Sequence, residues 1–97
     1  MSFEEELRKL EESGEIVEIK EGGSKYSYVV RITKVENDCI EYERFLNILP
    51  AIYFRKPDKV ISDIMTAPIG NILIIKIPEY NRKLAEAVIE AYDKRQK

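Results

Sequence analysis

Phe3, Leu7 and Leu10 recur at helical spacing up to Gly14, and from Glu15 onward the apolar period shortens to two and stays there through Phe45. A chain that makes this change has to place an amphipathic helix against a sheet. Over 97 residues it has apolar material for one core only. The reading is therefore a single α+β domain spanning residues 1–97.

The first helix opens on a capping box, with Ser2 ahead of Glu5. Its outer face offers Glu4 to Arg8 and Glu5 to Lys9 as i,i+4 pairs of a few tenths of a kcal/mol each. After it, Ile16-Val17-Glu18-Ile19 leads to a Gly22-Gly23 break. Tyr26, Tyr28, Val30 and Ile32 then alternate with Ser27, Arg31 and Thr33, which predicts a β-hairpin. A helical drawing of Tyr26 to Val35 also exists, with Tyr26, Val29, Val30 and Thr33 on one face, but the β-branched and aromatic content favours a strand. Asn37-Asp38 marks a turn, and Ile40, Tyr42 and Phe45 belong to another half-buried strand.

In the second half, Ala51 to Arg55 reads as a short further strand. Pro57 suits the first position of a short middle helix with Val60, Ile61, Ile64 and Met65 as its stripe, ended by Pro68 and Gly70. Ile72-Leu73-Ile74-Ile75 is apolar on both faces and predicts a central strand covered on each side. The last helix opens near Pro78-Glu79, with Tyr80, Leu84, Ala87, Val88, Ala91 and Tyr92 as the expected buried stripe. The expected architecture is a mixed or mainly antiparallel sheet of four to five strands with an N-terminal, a short middle and a C-terminal helix.

Fourteen Glu against four Asp, fourteen Ile and a single Gln follow the compositional trend of proteins from hyperthermophiles. No basic n-region precedes the first helix, and the longest apolar run is far below the ~20 residues that span a bilayer. The expectation is a cytoplasmic protein without a membrane partner.

With no His and one Cys, the chain lacks the residues for a Ser-His-Asp or Cys-His nucleophilic site and for a zinc site built on imidazole or paired thiolates. Glu41 and Glu43 share a strand face and read as solvated charges. Gly22-Gly23-Ser24 reads as a hairpin turn rather than a phosphate loop, since no Lys-Ser/Thr pair or helix follows. Cys39 has no basic neighbours and is expected to pack as a small buried hydrophobe. Tyr26 and Tyr28 beside Lys25 and Arg31, with Arg55, Lys56 and Lys59, offer a modest single-strand nucleic-acid surface, opposed by a net charge of −2. No catalytic, cofactor or metal-ligating residue is assigned from these patterns.

The opening stretch from Phe3 to Ile19, a helix carrying Phe, Leu and Leu-Glu followed by Gly14-Glu15-Ile16-Val17, resembles the N-terminus of the UbiD-type decarboxylases, which use prenylated flavin. Ile40-Glu41-Tyr42-Glu43 is similar to the family's Leu-Leu-Phe-Glu-Asn strand. Pro50-Ala51-Ile52-Tyr53-Phe54 followed by Pro57-Asp58-Lys59-Val60-Ile61 is similar to a later strand and helix of the same family. The likeness runs over roughly residues 3–65. Arg44 stands where the family has Asn, Arg55-Lys56 where it has Gly-Ser, and the family carries a helix where alternation here predicts the strand of Tyr26 to Val35.

The family's catalytic Arg and Glu and its flavin and metal ligands belong to a later domain, so the resemblance carries no site residue and no cofactor onto this chain. It implies a non-catalytic accessory or interaction subunit, either a homo-oligomer or the partner of a larger decarboxylase-like subunit. A small nucleic-acid-binding regulator is the alternative. Ile48, Leu49, Tyr53, Phe54 and Arg55, an aromatic-rich stretch ending in Arg, are the candidate interface residues, with Ile89 on the flank of the last helix. The plainer reading, that they complete the core under a loop, stands beside it.

Overall fold

A computed structural model of the chain describes residues 2–54 and 59–96. The elements run α1 (Phe3–Ser13), β1 (Val17–Glu21), β2 (Tyr28–Val35), β3 (Cys39–Leu46), α2 (Ile48–Phe54), β4 (Ile61–Pro68), a 3₁₀ turn (Ile69–Asn71), β5 (Ile72–Lys76) and α3 (Glu79–Arg95). The five strands form one antiparallel sheet in the order β4-β3-β2-β1-β5. The α+β class expected from the change of period is the one observed.

Local chemistry accounts for the first half. Ser2 Oγ accepts the Glu5 N–H at 3.2 Å, as the capping box requires, and α1 ends at Gly14 in the left-handed region (φ 71), where a side chain would be strained. β1 and β2 form the predicted hairpin, so Tyr28 to Val35 is a strand where the resembled family has a helix. At its turn a Cβ on Gly22 would have to displace the Asn71 side-chain oxygen, and Gly23 supplies the positive φ of 83.

The second half corrects three expectations. Ile48–Phe54 is a helix, not a strand: Ile48, Ala51 and Ile52 fall at i, i+3 and i+4 on one face, and Pro50 lies in the first turn, where a missing N–H costs nothing. Asn47 turns the chain into it at φ 65, a conformation Asn tolerates. Ile61–Pro68 is a strand paired with β3 along its whole length, not the expected middle helix; its proposed start at Pro57 lies outside the described residues. Finally, β5 is an edge strand paired with β1 alone, not a central one. Ile72 and Ile74 pack into the core, while Leu73 (58% exposed) and Ile75 (37%) face outward.

The sheet is curled. Pro68 and Ile72 are four residue steps apart, at most about 14 Å of chain. The outer strands of a flat five-stranded sheet would lie about 19 Å apart. Only a bent sheet lets the 3₁₀ turn connect β4 to β5, and it is tied at both ends, Ile69 N–H to Asp38 C=O at 3.0 Å and Gly22 N–H to Asn71 C=O at 2.8 Å. The concave face holds one core: Leu7 and Leu10 of α1 with Val17, Ile19, Val30, Ile32, Val35, Ile40, Tyr42 and Ala67.

Against the expectation of one core only, a second occupies the opposite face beneath α2 and α3, and contains Ile16, Phe45, Ile48, Ala51, Val60, Ala85 and Ile89; the sheet buries apolar residues on both of its faces. Tyr92 meets Phe45 edge-on at 6.2 Å between centroids and shares a 2.7 Å hydrogen bond with Ser62, which fixes the rotation of α3. That rotation differs from the expected one. Ala85 and Ile89 are buried with Val88 and Tyr92 beside them, whereas Tyr80, Leu84 and Ala87 of the expected stripe are exposed.

Two truncations measure this division. Ile19→Ala, in the fully buried row of β1, should lower urea-unfolding stability by about 2 to 5 kcal/mol, and Leu73→Ala on the outer face of β5 by less than about 0.5 kcal/mol. Equal losses at the two positions would mean that β5 is covered on both faces.

Candidate functional site

The candidate interface residues separate into two groups. Ile48 and Ile89 are buried in the second core, while Leu49, Tyr53 and Phe54 are exposed to between 64% and 76%. Arg55 lies outside the described residues. The helical period of α2 produces the split: Ile48, Ala51 and Ile52 turn to the sheet, so Leu49 and Tyr53, at i and i+4, turn away from it.

Leu49 and Tyr53 do not stand alone. With Ile48 and Ile52 they form one wall of a groove of about 390 Å³, whose other wall is Tyr80, Asn81 and Leu84 at the start of α3, and whose floor is Glu18, Val29 and Ile75 of the sheet. Ile77 and Pro78 close the end where β5 passes into α3. Tyr80 (76% exposed) and Leu84 are the residues that the observed rotation of α3 withdraws from the core and delivers to this groove. Leu73 continues the apolar surface along β5. The apolar surface is thus contiguous across three elements.

Sequence reasoning found Leu49, Tyr53 and Phe54 from their residue types but missed Tyr80, Leu84, Leu73 and Ile75. Its only signal for them was excess: more apolar residues in α3 and β5 than a single stripe or face uses.

Elsewhere, two arginine-centred clusters occupy polar side chains with one another. On the α2/α3 face, Arg31 donates to Glu43 at 2.7 Å and to Asp93 at 3.2 Å while lying over Phe45 at 5.4 Å, which docks the end of α3. Burial pulls the Arg31 pKa down, but the hydrogen bonds it donates to Asp93 and Glu43, with their negative charges, outweigh it and leave it raised. On the concave face, Arg44 grips Asp63 with two bonds, at 2.9 and 2.6 Å, and stacks over Tyr28 at 4.7 Å. The Arg44 bond holds the Asp63 carboxyl below its usual range.

These placements bear on the other candidates. Tyr28 and Arg31 point to opposite faces and Tyr26 stands in the hairpin loop, so the stacking surface considered from the sequence is not assembled as one face. Glu43 is held by Arg31, while Glu41 accepts from the Thr33 hydroxyl at 3.1 Å. Cys39 is half-buried rather than fully buried, and burial with nearby Glu36 and Asp38 pushes its thiol up, away from the reactive thiolate. Among the described residues no three acidic or thiol side chains converge as metal ligands would, and no helix is long and apolar enough to cross a membrane.

No protein-family model, curated protein or solved structure matches this chain. The geometry of the molecule itself therefore carries the functional reading.

Tyr42 offers a check on the concave core. Burial, followed by its 2.9 Å hydrogen bond to Glu21, pushes the phenol up to about 12. For a group kept neutral in the fold, the stabilisation is present below the ordinary value of 10 and is lost as pH rises from there through about 12. Ultraviolet titration should show a late phase of tyrosine ionisation that accompanies alkaline unfolding, and Tyr42→Phe should remove it. A late phase that is absent, or that survives in Tyr42→Phe, would contradict the placement.

Proposed function

We propose that this chain is a non-catalytic interaction subunit that meets its protein partner through the α2/α3/β5 face. The observation that supports this is the exposed apolar surface of Leu49, Tyr53, Ile75, Tyr80 and Leu84 around an open groove, with Leu73 exposed on the same side of β5. A chain this short leaves surface of this kind in water at a free-energy cost of roughly 25 cal/mol per Å², which covering by a partner would recover. Large aromatic and aliphatic side chains set in a depression are the types that dominate interface energetics.

The partner is a further copy of this chain or a larger decarboxylase-like subunit, the second following from the resemblance of residues 3–65 to the N-terminal domain of UbiD-type enzymes. A domain of that kind works by contact, and the groove supplies contact rather than chemistry. A nucleic-acid partner is the weaker reading, because Arg31 and Arg44 spend their donors on Asp93, Glu43 and Asp63.

Light scattering and pull-down with the tagged chain test the proposal. Tyr53→Glu combined with Leu84→Glu should leave the circular dichroism unchanged and weaken association, with itself or with the captured subunit, by at least about tenfold, or 1.4 kcal/mol. Association that is indifferent to both substitutions would reject this face, and salt-dependent retention on single-stranded DNA or RNA would favour the alternative.

A further inference from the structure

Among the described residues nothing pairs with the outer edge of β5, and its hydrogen-bonding groups can be assigned. Gly22 donates to Asn71, so this facing pair of the β1/β5 ladder is hydrogen-bonded. Along an antiparallel ladder bonded and non-bonded pairs alternate, so Lys20/Leu73 and Glu18/Ile75 are bonded to each other, and Ile74 and Lys76 turn their N–H and C=O away from β1. Among the described residues no backbone bond reaches Ile74 or Lys76 from outside β1. The devices that guard a free edge are meagre here: four consecutive apolar residues, with neither charge nor proline before Lys76.

We propose that β5 pairs with β5 of a second copy, antiparallel, about a two-fold axis at Ile74. This rests on the reading of the α2/α3/β5 face as an interaction surface and names both its partner and its register. Ile74 is the midpoint of Ile72–Lys76, so an axis there engages the whole strand, and an axis at Lys76 would set two ammonium groups side by side.

In this register the rows across the joint are complementary on both faces. On the concave side, Ile19 and Ile74 continue into Ile74 and Ile19 of the second copy, an uninterrupted isoleucine row. The rows beside it run from Glu21 and Ile72 to the second copy's Lys76 and Val17, so each holds one acid and one base. On the groove side, Lys20 and Leu73 continue into Ile75 and Glu18, which sets the two exposed apolar residues of β5 against each other between opposite charges. No row carries like charges. Leu73 opposite Ile75 is a non-hydrogen-bonded pair, the arrangement with the closer side chains.

The test is a register-specific crosslink. In a Cys39→Ser background, protein carrying Leu73→Cys is mixed with protein carrying Ile75→Cys and oxidised mildly. The facing Cα atoms would lie about 4.5 Å apart, within disulfide range. The mixture should yield a non-reducing band at twice the 11.3 kDa of the chain, and neither variant alone should do so appreciably. Unchanged circular dichroism confirms that these exposed substitutions leave the fold intact. A dimer by light scattering without the mixed crosslink, or crosslinking of Leu73→Cys to Ile64→Cys on the other sheet edge instead, overturns the pairing and leaves the interaction reading standing. A strictly monomeric protein at millimolar concentration also overturns it, and the interaction reading then rests on capture of a different subunit.

Discussion

The fold depends on α1 sealing the concave face of a curled sheet. Leu7 and Leu10 reach into a space lined by side chains from β1 to β5, and Met65 of β4 packs on the same cluster as Ile72 and Ile74 of β5 although the two strands stand at opposite ends of the sheet order. A slip of one residue in any strand would turn Val17 and Ile19, or Ile40 and Tyr42, out into water, so burial on this face fixes the register of the whole sheet. The short turn between β4 and β5 is possible only because that core holds the curl. Everything on the opposite face, including where β5 ends and α3 begins, is positioned by it.

That opposite face is closed unevenly. At one end Tyr92, Asp93, Arg31 and Phe45 clamp α3 to β2 and β3 with an aromatic contact, a charge-assisted pair and a cation over a ring. At the other end Ala85 packs with Ala51 in the second core, while Tyr80 and Leu84 meet the groove between α2 and α3. The helix is anchored at both ends, its first turns also by the Arg82–Glu15 pair and by buried Ala85, and it offers Tyr80 and Leu84 from those turns. A short helix of seven residues, α2, forms the opposite wall, so the groove lies between a firmly held element and a slight one.

Where one period dominated, the sequence was legible: α1, the β1/β2 hairpin and β3 are carried by clean spacing, with Ser2, Gly14 and Gly22-Gly23 as punctuation. Residues 48–76 were not, for a physical reason. Ile61, Ile64 and Met65 fit a helical stripe as well as two faces of a strand, and only pairing with β3 decides between them, a contact that local pattern does not contain. Ile52, Tyr53 and Phe54 have strand-forming side chains, yet the packing of Ile48 and Ala51 on Phe45 and Ile89 favours the helix. β5 looked central because it is apolar on both sides; its second apolar side instead faces the groove. The site is legible in the same proportion. Leu49, Tyr53 and Phe54 stand out by type, but Tyr80, Leu84 and Leu73 read as core, because a surplus of apolar residues reads as burial until the topology shows which of them have no cover.

Amide hydrogen exchange compared at low and high protein concentration, or with and without a captured partner subunit, tests the central claim that the α2/α3/β5 face is the working surface. The expected result is slowed exchange confined to residues 48–54, 72–77 and the first turns of α3, with β3 and α1 unchanged. Slowing confined to the hairpin loop or to β4, with the groove and β5 unaffected while association is measurable, would contradict it.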